Sequence, residues 1–124
     1  FGFDVGSVEV GILLEALELR EGTARSGIHT NLALLYLKMK DPVRARVQAM
    51  TAYELIPSGS AILNSSRANA LSLASRACAM QGDRQEASKL ATKALKLVED
   101  LPGMNRMAEE LRKLAGKDKS SKDR

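Results

Sequence analysis

The side chains that most often carry out catalysis are few in this chain of 124 residues. His29 is the only histidine and Cys78 the only cysteine, so a metal site built from these two residue types is excluded. Asp83 and Glu86 have the spacing of a helix capping box, which explains this acidic pair better than acid–base catalysis does. The glycines near the start of the chain lack the pattern of a phosphate-binding loop. We therefore predict a protein that is not an enzyme and uses no cofactor or metal.

The net charge of +4 does not indicate a surface for nucleic acid. Residues 117–124 hold four basic and two acidic side chains, so half of the excess lies in a short tail without apolar residues. We expect this basic tail, residues 116–124, to be disordered. The small excess that remains makes no strong field, which disfavours nucleic-acid binding.

The cellular setting is predicted from features that the sequence lacks. No apolar run approaches the roughly 18–20 residues that a membrane-spanning helix needs, and no signal segment opens the chain. A lone cysteine cannot form an internal disulfide, which favours a reducing compartment. We expect an intracellular, cytoplasmic protein with no membrane span. Because the chain begins at Phe1 rather than Met, we interpret it as a fragment or a processed product.

The elements that position the remaining polar side chains are predicted to be helices. Asp41-Pro42 is an N-cap followed by proline at the first helical position, and Gly82-Asp83 ends one helix and caps the next. No stretch alternates with a period of two, so no strand is predicted. The spacing of apolar residues predicts six helices, at about residues 7–21, 26–40, 42–56, 61–81, 84–100 and 104–115. The chain is thus predicted to be all-α.

Two helix pairs repeat with a constant offset of 42 residues, which relates Tyr36 to Cys78, Ala45 to Ala87 and Ala52 to Ala94. The alanines predict close contact between the two helices of each pair. The segment 52–57 and the segment 94–97 resemble the end of a tetratricopeptide repeat, and residues 16–19 resemble it a third time. This unit carries eight residues more than the usual 34, as in the long-repeat, kinesin-light-chain type of the family.

The resemblance implies an all-α fold of helical hairpins stacked into a right-handed superhelix. It divides the chain into an N-terminal half-repeat helix (1–25), two repeats (26–59 and 68–101), an inter-repeat extension (60–67), a capping helix (104–115) and the tail (116–124). The extension is either a loop or about two additional turns of helix. An unrelated helical bundle with alanine-rich contacts is the alternative.

The resemblance also implies a binding scaffold, in which the first helix of each pair lines a concave groove for a protein or peptide segment. Seven residues at the positions that match the groove of the family have side chains suited to binding a peptide: Asn31, Leu34, Lys38, Asn69, Leu73, Arg76 and Met80. Asparagines can bond peptide amides, the apolar side chains offer contact, and the cations can pair with acidic side chains. A clamp for chaperone C-termini is excluded, because Asn69 and Leu73 stand where lysine and arginine are required.

Two alternatives belong to other functional classes. A half-repeat at the N-terminus leaves one helix face without a partner, which favours self-association or assembly into a larger complex. RNA binding is a lower alternative, since the chain has only two phenylalanines and two tyrosines for stacking on bases.

Overall fold

The computed structural model describes residues 5–18 and 24–116, and these residues form an all-helical protein without strands. The helices are α1 (Val5–Glu18), α2 (Ala24–Lys38), α3 (Pro42–Leu55), α4 (Ala61–Met80), α5 (Arg84–Val98) and α6 (Asn105–Leu114). The predicted all-α class is confirmed, and the bounds of α2 to α6 agree with the sequence to within two residues. The first helix begins two residues earlier than predicted. Its predicted end at residues 19–21 and the tail from residue 117 lie outside the described residues.

The turn between α2 and α3 is a Schellman motif followed by a capped helix. Lys40 adopts a left-handed conformation with φ of 62°, and the N–H of Asp41 donates to the carbonyl of Tyr36 at 2.8 Å. The carboxylate of Asp41 then accepts a hydrogen bond from the N–H of Arg44 at 3.2 Å. One residue, Asp41, therefore both closes α2 and opens α3.

The turn between α4 and α5 repeats this arrangement 42 residues later. Gly82 has φ of 84°, the N–H of Asp83 donates to the carbonyl of Cys78 at 2.9 Å, and the carboxylate of Asp83 accepts from the N–H of Glu86 at 3.1 Å. The predicted N-caps are thus confirmed at both sites. The Glu86 carboxylate does not complete a capping box, since it faces Arg46 and Lys89 instead, at 3.5 and 3.8 Å.

Of the eight extra residues of the second unit, Ser60 is the N-cap of α4 and the other seven are helical. Ser60 caps α4 by accepting a hydrogen bond from the N–H of Leu63 at 3.1 Å, and residues 61–67 form the first turns of this helix. At the end of these turns Arg67 reaches back to the C-terminus of α3, where its guanidinium donates to the carbonyl of Ile56 at 2.7 Å. The extension therefore lengthens α4 and ties it to α3.

Each helix packs against the next along the chain, and α4 also contacts α2 and α6. The core is continuous from α1 to the end of α6 and is centred on the fully buried leucines Leu32, Leu71 and Leu111. Small residues occupy the helix contacts, as the sequence predicts. The alanines with no exposed surface on α3 and α5 are Ala45, Ala49, Ala52, Ala91 and Ala94. Their small size lets neighbouring helices approach closely.

Candidate binding clefts on α2

Two open clefts lie along α2, one on each side, and they differ in chemistry. The first, the polar groove, is a space of about 380 Å³ between α2 and α4. It is lined by Ala24, Ser26, Gly27, Ile28, Thr30, Asn31, Ile56, Ser66 and Asn69. Hydroxyl and amide groups dominate this lining, and no charged side chain contributes to it. Such a surface suits the neutral, hydrogen-bonding backbone of an extended peptide.

The second cleft, the apolar cleft, is a space of about 370 Å³ between α1 and α2. Its walls are mainly apolar, and a carboxylate and an ammonium group stand beside them. The lining residues are Glu9, Ile12, Leu13, Asn31, Leu34, Leu35 and Lys38. This cleft suits an apolar side chain with polar groups near it.

Asn31 belongs to both clefts, so it stands on the ridge of α2 that separates them. It is exposed, as is Asn69 on the facing helix α4. Neither side-chain amide forms a hydrogen bond with any residue that the structure describes, so both can bond an incoming chain. The predicted pair of asparagines is thus brought to one groove.

The other predicted site residues divide between the clefts, the surface and the core. Leu34 and Lys38 line the apolar cleft. Arg76 and Met80 are exposed on α4 but line neither cleft. Leu73 is 4% exposed and belongs to the hydrophobic core, so it offers a peptide no surface and leaves the candidate site.

The lining residues that sequence reasoning missed lie on α1, on α2 (Ala24, Ser26, Gly27, Ile28 and Leu35), at the end of α3 and in the second turn of α4. Glu9, Ile12 and Leu13 form the far wall of the apolar cleft, while Ile56 and Ser66 contribute to the polar groove. The apolar spacing around Ile12 and Leu13 predicts only which face of α1 is apolar. It does not predict the angle at which α1 packs on α2, and this angle determines the shape of the cleft.

The charge on the helices around the polar groove has one sign. The sequences of α2 and α4 contain no aspartate or glutamate, whereas Arg25, Lys38, Arg67 and Arg76 supply four cations. Lys38 and Arg76 are exposed and form no ion pair with the described part of the chain. This surface therefore favours a partner that carries carboxylates.

His29 and Cys78 are both buried in the protein. The His29 ring is buried, and its Nδ1 lies 2.6 Å from Oε1 of Gln48 on α3. The thiol of Cys78 has no exposed surface, and burial raises its pKa; the nearby Glu86 and Asp83 carboxylates act in the same direction and Arg46 in the opposite one. A buried thiol with a raised pKa is a poor nucleophile.

Tyr53 on α3 is the centre of a cluster with two cations, Arg67 on α4 and Lys93 on α5. The guanidinium of Arg67 lies 4.4 Å from the centroid of the Tyr53 ring, and its Nη2 donates to the phenol oxygen at 2.8 Å. The ammonium group of Lys93 lies 4.9 Å from the same centroid. Because these groups contact each other and the end of α3, the cluster links α3, α4 and α5.

Two kinds of site are absent from the described residues. No group of three or more His, Cys, Asp or Glu side chains within residues 5–18 and 24–116 lies close enough to hold a metal ion. None of the helices in these stretches combines the length and the apolar character that crossing a membrane requires.

Comparison with known proteins finds no family model, no curated protein and no solved structure that matches this chain.

Proposed function

We propose that this chain is a non-catalytic protein–protein interaction module that binds an extended peptide segment of its partner in the polar groove. The observation that carries the proposal is the placement of two unengaged amides, Asn31 and Asn69, on facing helices of one open groove. Amides in this position can donate to and accept from a peptide backbone, which gives affinity that depends little on the sequence of the peptide.

The architecture that we propose for this module is a right-handed superhelix of helical hairpins resembling tetratricopeptide repeats. Its support is the 42-residue period, which appears in the sequence and again in the hydrogen bonds of the two turns. In such an arrangement α2 and α4 are the first helices of their pairs and lie side by side, as their contact requires. The module would then serve as a scaffold or adaptor within a larger intracellular protein or complex.

The test is a selection of random twelve-residue peptides on the chain, followed by affinity measurements with fluorescently labelled peptides. We expect the Asn31→Ala, Asn69→Ala double variant to bind the selected peptides about 10-fold more weakly, since two backbone hydrogen bonds are lost. Asn105→Ala is the matched control, because Asn105 is exposed on α6 and distant in sequence from the groove. Binding that is unchanged in the double variant, or no selected peptide at all, would contradict the proposal.

Self-association is a second candidate, favoured by the exposed apolar residues of α1. Val8, Ile12 and Leu14 on this helix are 43%, 61% and 45% exposed, which is unusual for three large apolar residues on one helix of 14 residues. A homodimer through α1 would cover them. Light scattering at high concentration tests this candidate, which a constant monomer mass would exclude.

A further inference from the structure

We propose that the apolar cleft is a second subsite, which takes a large apolar side chain of the bound peptide between an acidic and a basic residue of that peptide. The inference rests on the proposed peptide-binding function and specifies the chemistry of the partner. The acidic residue would lie beside Lys38, and the basic one beside Glu9.

The position of the cleft supports this assignment. Because Asn31 lines both the polar groove and the apolar cleft, a chain whose backbone is bonded by Asn31 can place its next side chains in the cleft. Alternate side chains of an extended peptide point to the same face, so an apolar residue can enter the cleft while the residues two positions before and after it face Glu9 and Lys38. The two clefts are therefore adjacent, with Asn31 on the ridge of α2 between them.

The walls of the cleft determine the apolar part of the occupant. Ile12 is 61% exposed, and Leu13, Leu34 and Leu35 are partly buried around the same space. A volume of about 370 Å³ is at the lower end of the range of about 300–1,000 Å³ for pockets that bind small molecules. A cleft of this size suits one or two apolar side chains.

The rim of the cleft determines the charges of the occupant. Glu9 on α1 and Lys38 on α2 both line the space and are exposed. Neither forms an ion pair within the described part of the chain, although their charges are opposite. A peptide with opposite charges on either side of its apolar residue would satisfy both groups at once, whereas a peptide of one charge sign would be repelled at one side.

The experiment repeats the peptide selection with variants of the cleft. For the wild-type chain we expect the selected peptides to share a large apolar residue with an acidic residue on one side and a basic residue on the other. Ile12→Ser is expected to weaken their binding about 10-fold by removing the apolar wall. Val47→Ser is the matched control, because Val47 is 58% exposed on α3, outside both clefts, and should leave binding within 2-fold.

The preference for charged peptide residues is tested by reversing the charge of Lys38 or of Glu9. Lys38→Glu should remove the acidic residue from newly selected peptides, and Glu9→Lys should remove the basic one. The control for Lys38→Glu is Lys96→Glu, since both lysines are exposed in the last turn of their helices. A selection whose charge pattern is the same in wild type and Lys38→Glu would overturn the inference.

The outcomes separate this inference from the proposed function. Peptides that depend on Asn31 and Asn69 but not on Ile12 or Lys38 would overturn the subsite and leave the polar groove intact. Loss of a dimer in Ile12→Ser would show that a second copy covers the cleft, which also overturns the inference. Peptide binding made 10-fold tighter by replacing Phe1 and Phe3 with serine would instead identify the chain's own first residues as the occupant.

Discussion

At the scale of single residues, the α2–α3 turn and the α4–α5 turn differ at their left-handed position, which is lysine in the first and glycine in the second. Lys40 and Gly82 occupy the same left-handed position of their Schellman motifs. A side chain with a Cβ atom costs about 1–2 kcal/mol in this conformation, whereas glycine adopts it freely. A Cβ atom added at Gly82 would have no other atom within 4 Å, so the difference between the positions lies in the backbone alone.

Lys40→Gly is therefore expected to raise the free energy of unfolding by about 0.5–1 kcal/mol, the relief of strain less the added entropy of the unfolded chain. Gly82→Lys should lower it by about 1 kcal/mol. Urea denaturation followed by circular dichroism measures both. If the two substitutions change the stability in the same direction, the left-handed turn position does not control it.

At the scale of elements, sequence reasoning found the helices because their caps are chemical signals. Asp41 and Asp83 mark the starts of α3 and α5, and glycine or proline marks several ends. The predicted start of α1 is two residues late because it rests on apolar spacing alone. The sequence does not decide between loop and helix for residues 60–67, because a serine hydroxyl can stabilise either a turn or a helix start. In the structure Ser60 caps α4 by accepting a hydrogen bond from the N–H of Leu63.

The candidate site is only partly predictable from the sequence, because the burial of a side chain depends on how many other helices its own helix contacts. Leu73 lies 42 residues after Asn31, yet Asn31 is exposed and Leu73 is buried. The helix α4 contacts four others, α2, α3, α5 and α6, whereas α2 contacts three. A repeat pattern read along the sequence treats the two helices as equivalent, so it cannot distinguish the inner position from the outer one.

The guanidinium of Arg67 on α4 donates to the carbonyl of Ile56 and to the hydroxyl of Tyr53, and it lies over the Tyr53 ring, so it adds to the packing of α4 on α3. Arg67→Met is expected to lower the free energy of unfolding by about 2 kcal/mol, because these charged hydrogen bonds and the cation–π contact are lost. Arg67→Lys should restore little, since one ammonium group cannot reproduce the planar fork.

Arg76→Met is the control for Arg67, because Arg76 is exposed on the same helix and should change the stability by less than about 0.5 kcal/mol. Thermal unfolding of the three variants measures these effects. Equal destabilisation by Arg67→Met and Arg76→Met would show that charge on α4, and not the bonds to α3, determines the effect.

At the scale of the whole molecule, contacts are local along the chain. Among the described residues α1 contacts only α2, and α6 contacts only α4 and α5. In such an arrangement the stability of each end depends on its nearest neighbours, and local opening can occur without global unfolding.

Leu111→Ala is expected to destabilise the protein by about 2–5 kcal/mol, since Leu111 is fully buried in α6. Hydrogen exchange followed by mass spectrometry should show faster exchange in α5 and α6 than in α2 and α3. Leu32→Ala, at the other end of the core, should show the opposite gradient. If both variants exchange faster to the same extent along the whole chain, the helices unfold as one cooperative unit and do not open locally.

The two equivalent turns define a segment of the chain, residues 41–82, whose ends match each other. Residues 41–82 begin with the aspartate of one turn and end with the glycine of the next, and Asp41 and Asp83 occupy equivalent places in the same hydrogen-bond pattern. A second copy of this segment inserted after Gly82 would meet compatible ends on both sides. The protein could then be lengthened by whole helix pairs, and the length of the peptide that we propose it binds would become an adjustable property of its gene.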